Sequence, residues 1–170
     1  MARLEILEYP DPNLRLTSEP VTRFDKNLER LVNDLVETLD ANSIIGLSSP
    51  QVNVPQRVAV TNPSGGASEP QVYVNPVIIS KSTWGIVEES CASIPDVVGN
   101  VIRATKVRVR AQDRHGDAFE RVLTDMDAVC IQHEIDHLNG KLFIDRLSFF
   151  RKLALRSRLR AKVRRHNNAA

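Results

Sequence analysis

Thr124-Asp125-Met126-Asp127-Ala128-Val129-Cys130-Ile131-Gln132-His133-Glu134-Ile135-Asp136-His137-Leu138-Asn139-Gly140 is the stretch on which the fold turns. Its opening, Thr124 to Asp127, has a capping-box-like pattern, and Gly140 is placed to end a helix because glycine takes the left-handed conformation without steric cost. Met126, Val129, Cys130, His133 and His137 recur at i, i+3, i+4 intervals, which predicts a helix whose two imidazoles point toward a core. The preceding residues follow another period. Lys106-Val107-Arg108-Val109-Arg110-Ala111 alternates strictly, the mark of a strand with one wet face. Arg114 to Asp117 then supplies turn residues before a run from Ala118 to Leu123, predicting a hairpin. Arg57 to Thr61, Gln71 to Ile79 and Trp84 to Glu88 read as further short strands. Strands first and helix last, with too little helix between strands for βαβ units, indicates an α+β fold, with antiparallel sheets around a central HExxH helix.

Toward the N-terminus, Asp25 is placed as an N-cap, and Leu28, Leu31, Val32, Leu35 and Leu39 form a stripe of period 3.6, predicting an N-terminal helix. Tyr9-Pro10-Asp11-Pro12-Asn13 reads as an extended arm, since proline disfavours helix in the residue before it. A chain of 170 residues, 42% hydrophobic and 26% charged, suits a single domain with one sizeable core. Neither a leader pattern nor an apolar run long enough for a membrane span is present, so the expected location is the cytoplasm. Cys91 and Cys130 are then free thiols or metal ligands rather than a disulfide.

Charge divides the chain unevenly. Residues 149–170 carry eight Lys or Arg and no acid, leaving 15 basic against 21 acidic residues, a balance of −6, in residues 1–148. The expected organisation is a catalytic domain over 1–148 with a basic C-terminal helix or tail over 149–170. Leu147 to Arg165 mixes Leu153, Leu155, Leu159 and Val163 with the basic residues, and so concentrated a charge suits an anionic partner surface.

His133 and His137 stand one helical turn apart, so both can reach one ion, and Glu134 follows one position round as a carboxylate beside that ion, able to move a proton. A catalytic centre of this kind takes three protein ligands. The protease continuation HExxHxxGxxH fails, because Phe143 stands where a third histidine belongs. Candidates upstream are Cys91, Cys130, His115 and several carboxylates. Cys130 lies about 10 Å along the helix axis from His137, too far for both to bind one ion. His115 falls in a polar turn. Cys91, between a strand and a proline-marked turn, offers a thiolate that suits a His, His, Cys site.

Three segments together resemble the peptide deformylase family. His133-Glu134-Ile135-Asp136-His137-Leu138 matches its His-Glu-x-x-Asp-His-Leu motif; Glu89-Ser90-Cys91-Ala92-Ser93 is similar to Glu-Gly-Cys-Leu-Ser; Ile44-Ile45-Gly46-Leu47-Ser48-Ser49-Pro50-Gln51 is similar to Gly-hydrophobic-Gly-Leu-Ala-Ala-x-Gln. The resemblance implies Cys91, His133 and His137 as ligands of one divalent metal, ferrous in cells with zinc or nickel as substitutes. It implies Glu134 as the proton carrier, the Gln51 side chain and Ala92 N–H as donors to a developing oxyanion, and the backbones of Ile45, Gly46 and Ser90 as partners of an extended peptide. The implied substrates are N-formylmethionyl peptides and nascent chains, with ribosomal RNA as the partner of the basic tail and no membrane role. The alternative is a relative that binds metal and peptide without turnover. Ile44, Ser48, Ser49, Ser90, Ala92 and Val98 depart from the family's usual residues, with Ser90 and Ala92 altering the expected wall of the cleft.

Overall fold

The computed structural model describes residues 3–65, 68–155 and 163. Helix α1 spans Lys26–Ala41, and its N-cap Asp25 accepts from the Asn27 and Leu28 N–H groups, as its sequence predicts. Five strands follow among the described residues: β1 Gly46–Ser48, β2 Val58–Thr61, β3 Gln71–Ser90, β4 Val98–Gln112 and β5 Ala118–Thr124. All pair antiparallel with their sequence neighbours, in the order β1-β2-β3-β4-β5. Helix α2, Asp125–Leu138, touches every strand of this sheet, so the sheet wraps around the helix that carries the histidines.

Bulges let a single sheet make this bend. Register shifts interrupt β3 and β4 between Val74 and Val77 and again between Ile78 and Ser80. Asn75 sits at the first with φ 52, and its side chain holds Val21 N–H at 2.8 Å, Val21 C=O at 2.9 Å and Gln112 at 2.9 Å. Where the sequence predicts separate strands at Gln71–Ile79 and Trp84–Glu88, the chain therefore makes one long strand. Ser80 to Thr83 are all exposed and lie within the strand, with Thr83 alone at φ 48.

Three apolar clusters hold the layers together. α1 packs Leu28, Val32, Leu35 and Leu39 against Leu47, Val58, Val60 and Val74. α2 packs Ala128, Ile131 and Ile135 against Tyr73, Val107 and Val109. The third gathers Leu14, Cys91, Ile94, Val97, Val101, Phe143 and Leu147, and seats the segment after β3. Each fully buried Leu, Val, Ile or Phe contributes about 1.5–3 kcal/mol relative to exposure.

Four further sequence readings are corrected. Tyr9–Asn13 is not an extended arm: a 3-10 helix covers Pro12–Arg15, started by Asp11, whose side chain accepts from Asn13 N–H at 2.8 Å. Thr124 caps α2 without a side-chain bond, because β5 runs directly into the helix through Asp125 at φ 52. Met126 is half exposed rather than core-facing. β4 begins at Val98, well before the alternating run that marks it. Gly140 does end the helix region, at φ 67, where a side chain would meet the Arg15 carbonyl. Beyond Leu147, residues 149–155 are helical; the rest of the predicted basic helix, except position 163, lies outside the described residues. No helix among the described residues is long and apolar enough to cross a membrane.

Candidate active site

α2 delivers His133, Glu134 and His137 as its helical spacing requires, and the turn after β3 brings Cys91 to the same point. Cys91 Sγ, His133 Nε2 and His137 Nε2 all lie within 4.8 Å of one another. The Sγ to His137 Nε2 distance is 3.2 Å, and the two Nε2 atoms are also 3.2 Å apart. Bonds of about 2.0–2.3 Å at tetrahedral angles put ligand atoms about 3.3–3.6 Å from each other, so this donor set fits one divalent cation. Cys130 is not in this donor group, its thiol donating to Ile45 C=O at 3.2 Å in the cleft wall, and His115 lies exposed in its turn.

The donor group is held from behind by buried charge. His133 Nδ1 meets Glu89 Oε2 at 2.9 Å, which leaves Nε2 facing the other donors. Arg103, itself buried, donates to both Glu89 oxygens at 2.6 and 3.0 Å and to Asp136 Oδ2 at 2.6 Å; Asp136 also pairs with Arg146. Burial alone would raise the Glu89 carboxyl, but the bonds from His133 and Arg103 outweigh it and hold it at about 2. Burial disfavours charge on both imidazoles. Bonds to Cys91 and Glu89 reverse this for His133, which sits well above the usual histidine value, and the charge of His133 adds to burial in keeping His137 well below it.

Glu134 is buried beside the three donors. Burial pushes its carboxyl up to about 7, against the opposing pull of the His133 charge and the Ser48 hydroxyl. Its Oε2 has no hydrogen-bond partner among the described residues, so it is free to take a proton near neutral pH. Gly46 is what admits it: a Cβ there would overlap Glu134 Oε1 and stand 2.7 Å from Cys130 Sγ.

Opposite α2, the segment Ser49–Val52 is a 3-10 turn that presents Gln51. Ser48 N–H and Ser48 Oγ each donate to Gln51 Oε1 at 2.9 Å. The amide nitrogen is thereby turned toward Ser93 Oγ at 3.2 Å and Cys91 Sγ at 3.7 Å. A cleft of about 380 Å³ opens over the site, and its lining includes Ile45, Gly46, Ser90, Ala92 and, from α2, Met126, Val129 and Cys130. The three donors, Glu134, Gln51 and the four backbone candidates Ile45, Gly46, Ser90 and Ala92 thus gather at this one place, and His115 does not. Sequence reading missed Arg103, whose signal was a charged residue at an inward position of an alternating strand, and, although it quoted Ser48 and Ser93 within the motifs, it gave neither the role of holding Gln51.

An α+β chain that converges a thiol and two imidazoles on one point, with a buried carboxyl next to them, falls in the class of metal-dependent hydrolases. Residues 3–152 match the sequence profile of the family Polypeptide deformylase. A peptide deformylase of Cellvibrio japonicus is 45% identical over 163 residues, spanning 95% of this chain and 96% of that one. One from Pseudomonas aeruginosa is 44% identical over 165 residues, spanning 96% and 98%. The crystal structure of a peptide deformylase from Legionella pneumophila superposes with a TM-score of 0.89 at 40% identity, covering 98% of both chains. The chain belongs to the polypeptide deformylase family, whose members are metal-dependent and act on formylated nascent peptides.

Proposed function

We propose that Cys91, His133 and His137 hold one divalent cation, and that Glu134 moves the proton as the protein removes the formyl group from the N-terminal formylmethionine of newly made chains. The observation that carries the residue roles is the convergence of three donors beside a buried carboxyl whose Oε2 is unpartnered. When bound, the cation supplies a Lewis acid that acidifies water and polarises the formyl carbonyl. Glu134 takes a proton from the attacking water. Gln51 Nε2 and Ala92 N–H donate to the formyl oxygen as negative charge develops on it. The C–N bond then breaks, Glu134 returns the proton to the departing amine, and formate and a free amino terminus result.

Substrate seating follows the same residues. The backbones of Ile45, Gly46 and Ser90 pair with an extended peptide, while Met126, Val129 and Cys130 offer the apolar wall that a methionine side chain needs. Thiolate with imidazole suits a borderline-soft ion, which favours ferrous iron in cells, with zinc or nickel able to replace it. Two unpaired cysteines are in keeping with a reducing cytoplasm. The catalytic unit is residues 1–148. The eight basic residues of 149–170, set against an acidic body, support a contact with ribosomal RNA.

The test is formate release from formyl-Met peptides by protein loaded with iron without oxygen. Turnover should exceed that of Glu134→Ala by roughly 10²-fold or more, and formate no higher than in that variant would overturn the reading. Ribosome co-sedimentation that is unchanged after truncation at Phe149 would remove the RNA contact alone.

A further inference from the structure

The end of β3 leaves an edge open beside the cleft. Ala104, which pairs with Trp84, turns its backbone away from β3: its N–H donates to Gln132 Oε1 at 3.3 Å and its C=O accepts from Gln132 Nε2 at 2.7 Å. Trp84 and Ala104 are therefore a non-hydrogen-bonded pair, and the Trp84 N–H and C=O point toward the opposite edge of β3. The register runs unbroken from Trp84↔Ala104 to Ser90↔Val98, so Ile86, Glu88 and Ser90 repeat this orientation. β2 covers that edge only as far as Val74, and no other strand pairs with it among the described residues.

The side chains of the same residues make a track. Trp84 is 62% exposed and Ile86 75%, and Ile86 stands opposite Ile102, which is 64% exposed. Glu88 and Ser90 continue the row into the cleft lining. An unpaired edge with an apolar face is a surface that proteins ordinarily cover or blunt with charge. Here it is continuous with the place where an extended substrate enters.

We infer that the free edge of β3, from Ser90 back to Trp84, is a second recognition track for substrate. Resting on the proposed function, it holds the residues downstream of the formylmethionine as an added antiparallel strand. The track is about 20 Å long, six steps of roughly 3.4 Å, and so engages a peptide well beyond its first three residues. Side chains facing the row alternate with it: a basic residue is favoured opposite Glu88, then apolar or β-branched residues opposite Ile86 and Trp84.

The experiment compares a formyl tripeptide with two formyl octapeptides, one carrying that basic-apolar-apolar pattern at alternate positions and one with serine there. It uses the iron-loaded full chain and the exposed double variant I86S/I102S. The patterned octapeptide should exceed the serine octapeptide in kcat/KM by about fivefold, as one or two cross-strand pairs predict. The variant should lose that gain and keep tripeptide turnover within twofold. Equal octapeptides in the unmodified protein, or a gain that persists in the variant, would overturn the track. So would a dimer of the unmodified protein that the variant abolishes, since the face would then belong to a second copy. Absent tripeptide turnover would count against the proposed reaction instead; the track is read separately by fluorescence anisotropy of the labelled octapeptides, where equal affinities for both would overturn it.

Discussion

Two sides of the site restrain its groups by opposite means. Behind the three donors, buried Glu89, Arg103 and Asp136, joined at the surface by Arg146, form a chain of charge that fixes His133 and ties β3, β4 and the end of α2 together. Across the cleft, Gln51 is held without any formal charge, by Ser48 and Ser93. The difference follows from what each side supports. In the proposed roles, an imidazole that binds a metal gains basicity from an anion behind it, whereas an amide that steadies an oxyanion acts through a dipole fixed in place.

Removing the charged side should cost most. Arg103→Met leaves Glu89 and part of Asp136 buried without their cation, and stability should fall by about 3–5 kcal/mol, read by urea denaturation. A loss below about 1 kcal/mol would mean that the network is solvated. On the neutral side, Gln51→Ala should leave folding nearly intact and lower kcat by roughly 10²–10³. An equal loss of stability in the two variants would erase the contrast.

Acidity separates the sides further. Glu89 is held at about 2 against an ordinary 4.5, so the unfolded chain binds more protons over that interval. Its contribution is complete above about pH 5 and is lost as pH falls toward 2, a difference of about 3 kcal/mol. Glu89→Gln should flatten that part of the stability profile, whereas Gln51→Ala should leave its slope unchanged. The smallest effect belongs to Ser48→Ala, which removes one of two bonds to Gln51 Oε1. About 1 kcal/mol of positioning should be lost, read as a kcat lower by about fivefold at constant KM; a raised KM alone would place Ser48 in substrate binding.

Legibility along the chain tracks the range of the interaction. The N-cap at Asp25, the α1 stripe and the β4–β5 hairpin turn depend on neighbours within a few residues, and each appears where its pattern stands. The division of β3 was misread because Ser80 to Thr83 carry the composition of a turn, and only pairing with β4 on both sides of Thr83, itself at φ 48, decides that the strand runs on. Met126 kept the helical stripe yet faces the cleft, because the stripe records angular position and not what lies opposite.

By itself the sequence determined that His133 and His137 share one face with Glu134 beside them, since 3.6 residues per turn leaves no other arrangement within a helix. It also determined an α+β order and a basic tail on an acidic body. The tertiary structure alone brought Cys91, 46 residues from His137 and a candidate in the sequence, to the other two donors. It likewise placed the Gln51 amide over that set, put Arg103 beneath it, and left the edge of β3 open. Those placements come from sheet register, two bulges and the packing of α2 against every strand, and such long-range closures are written in no local spacing.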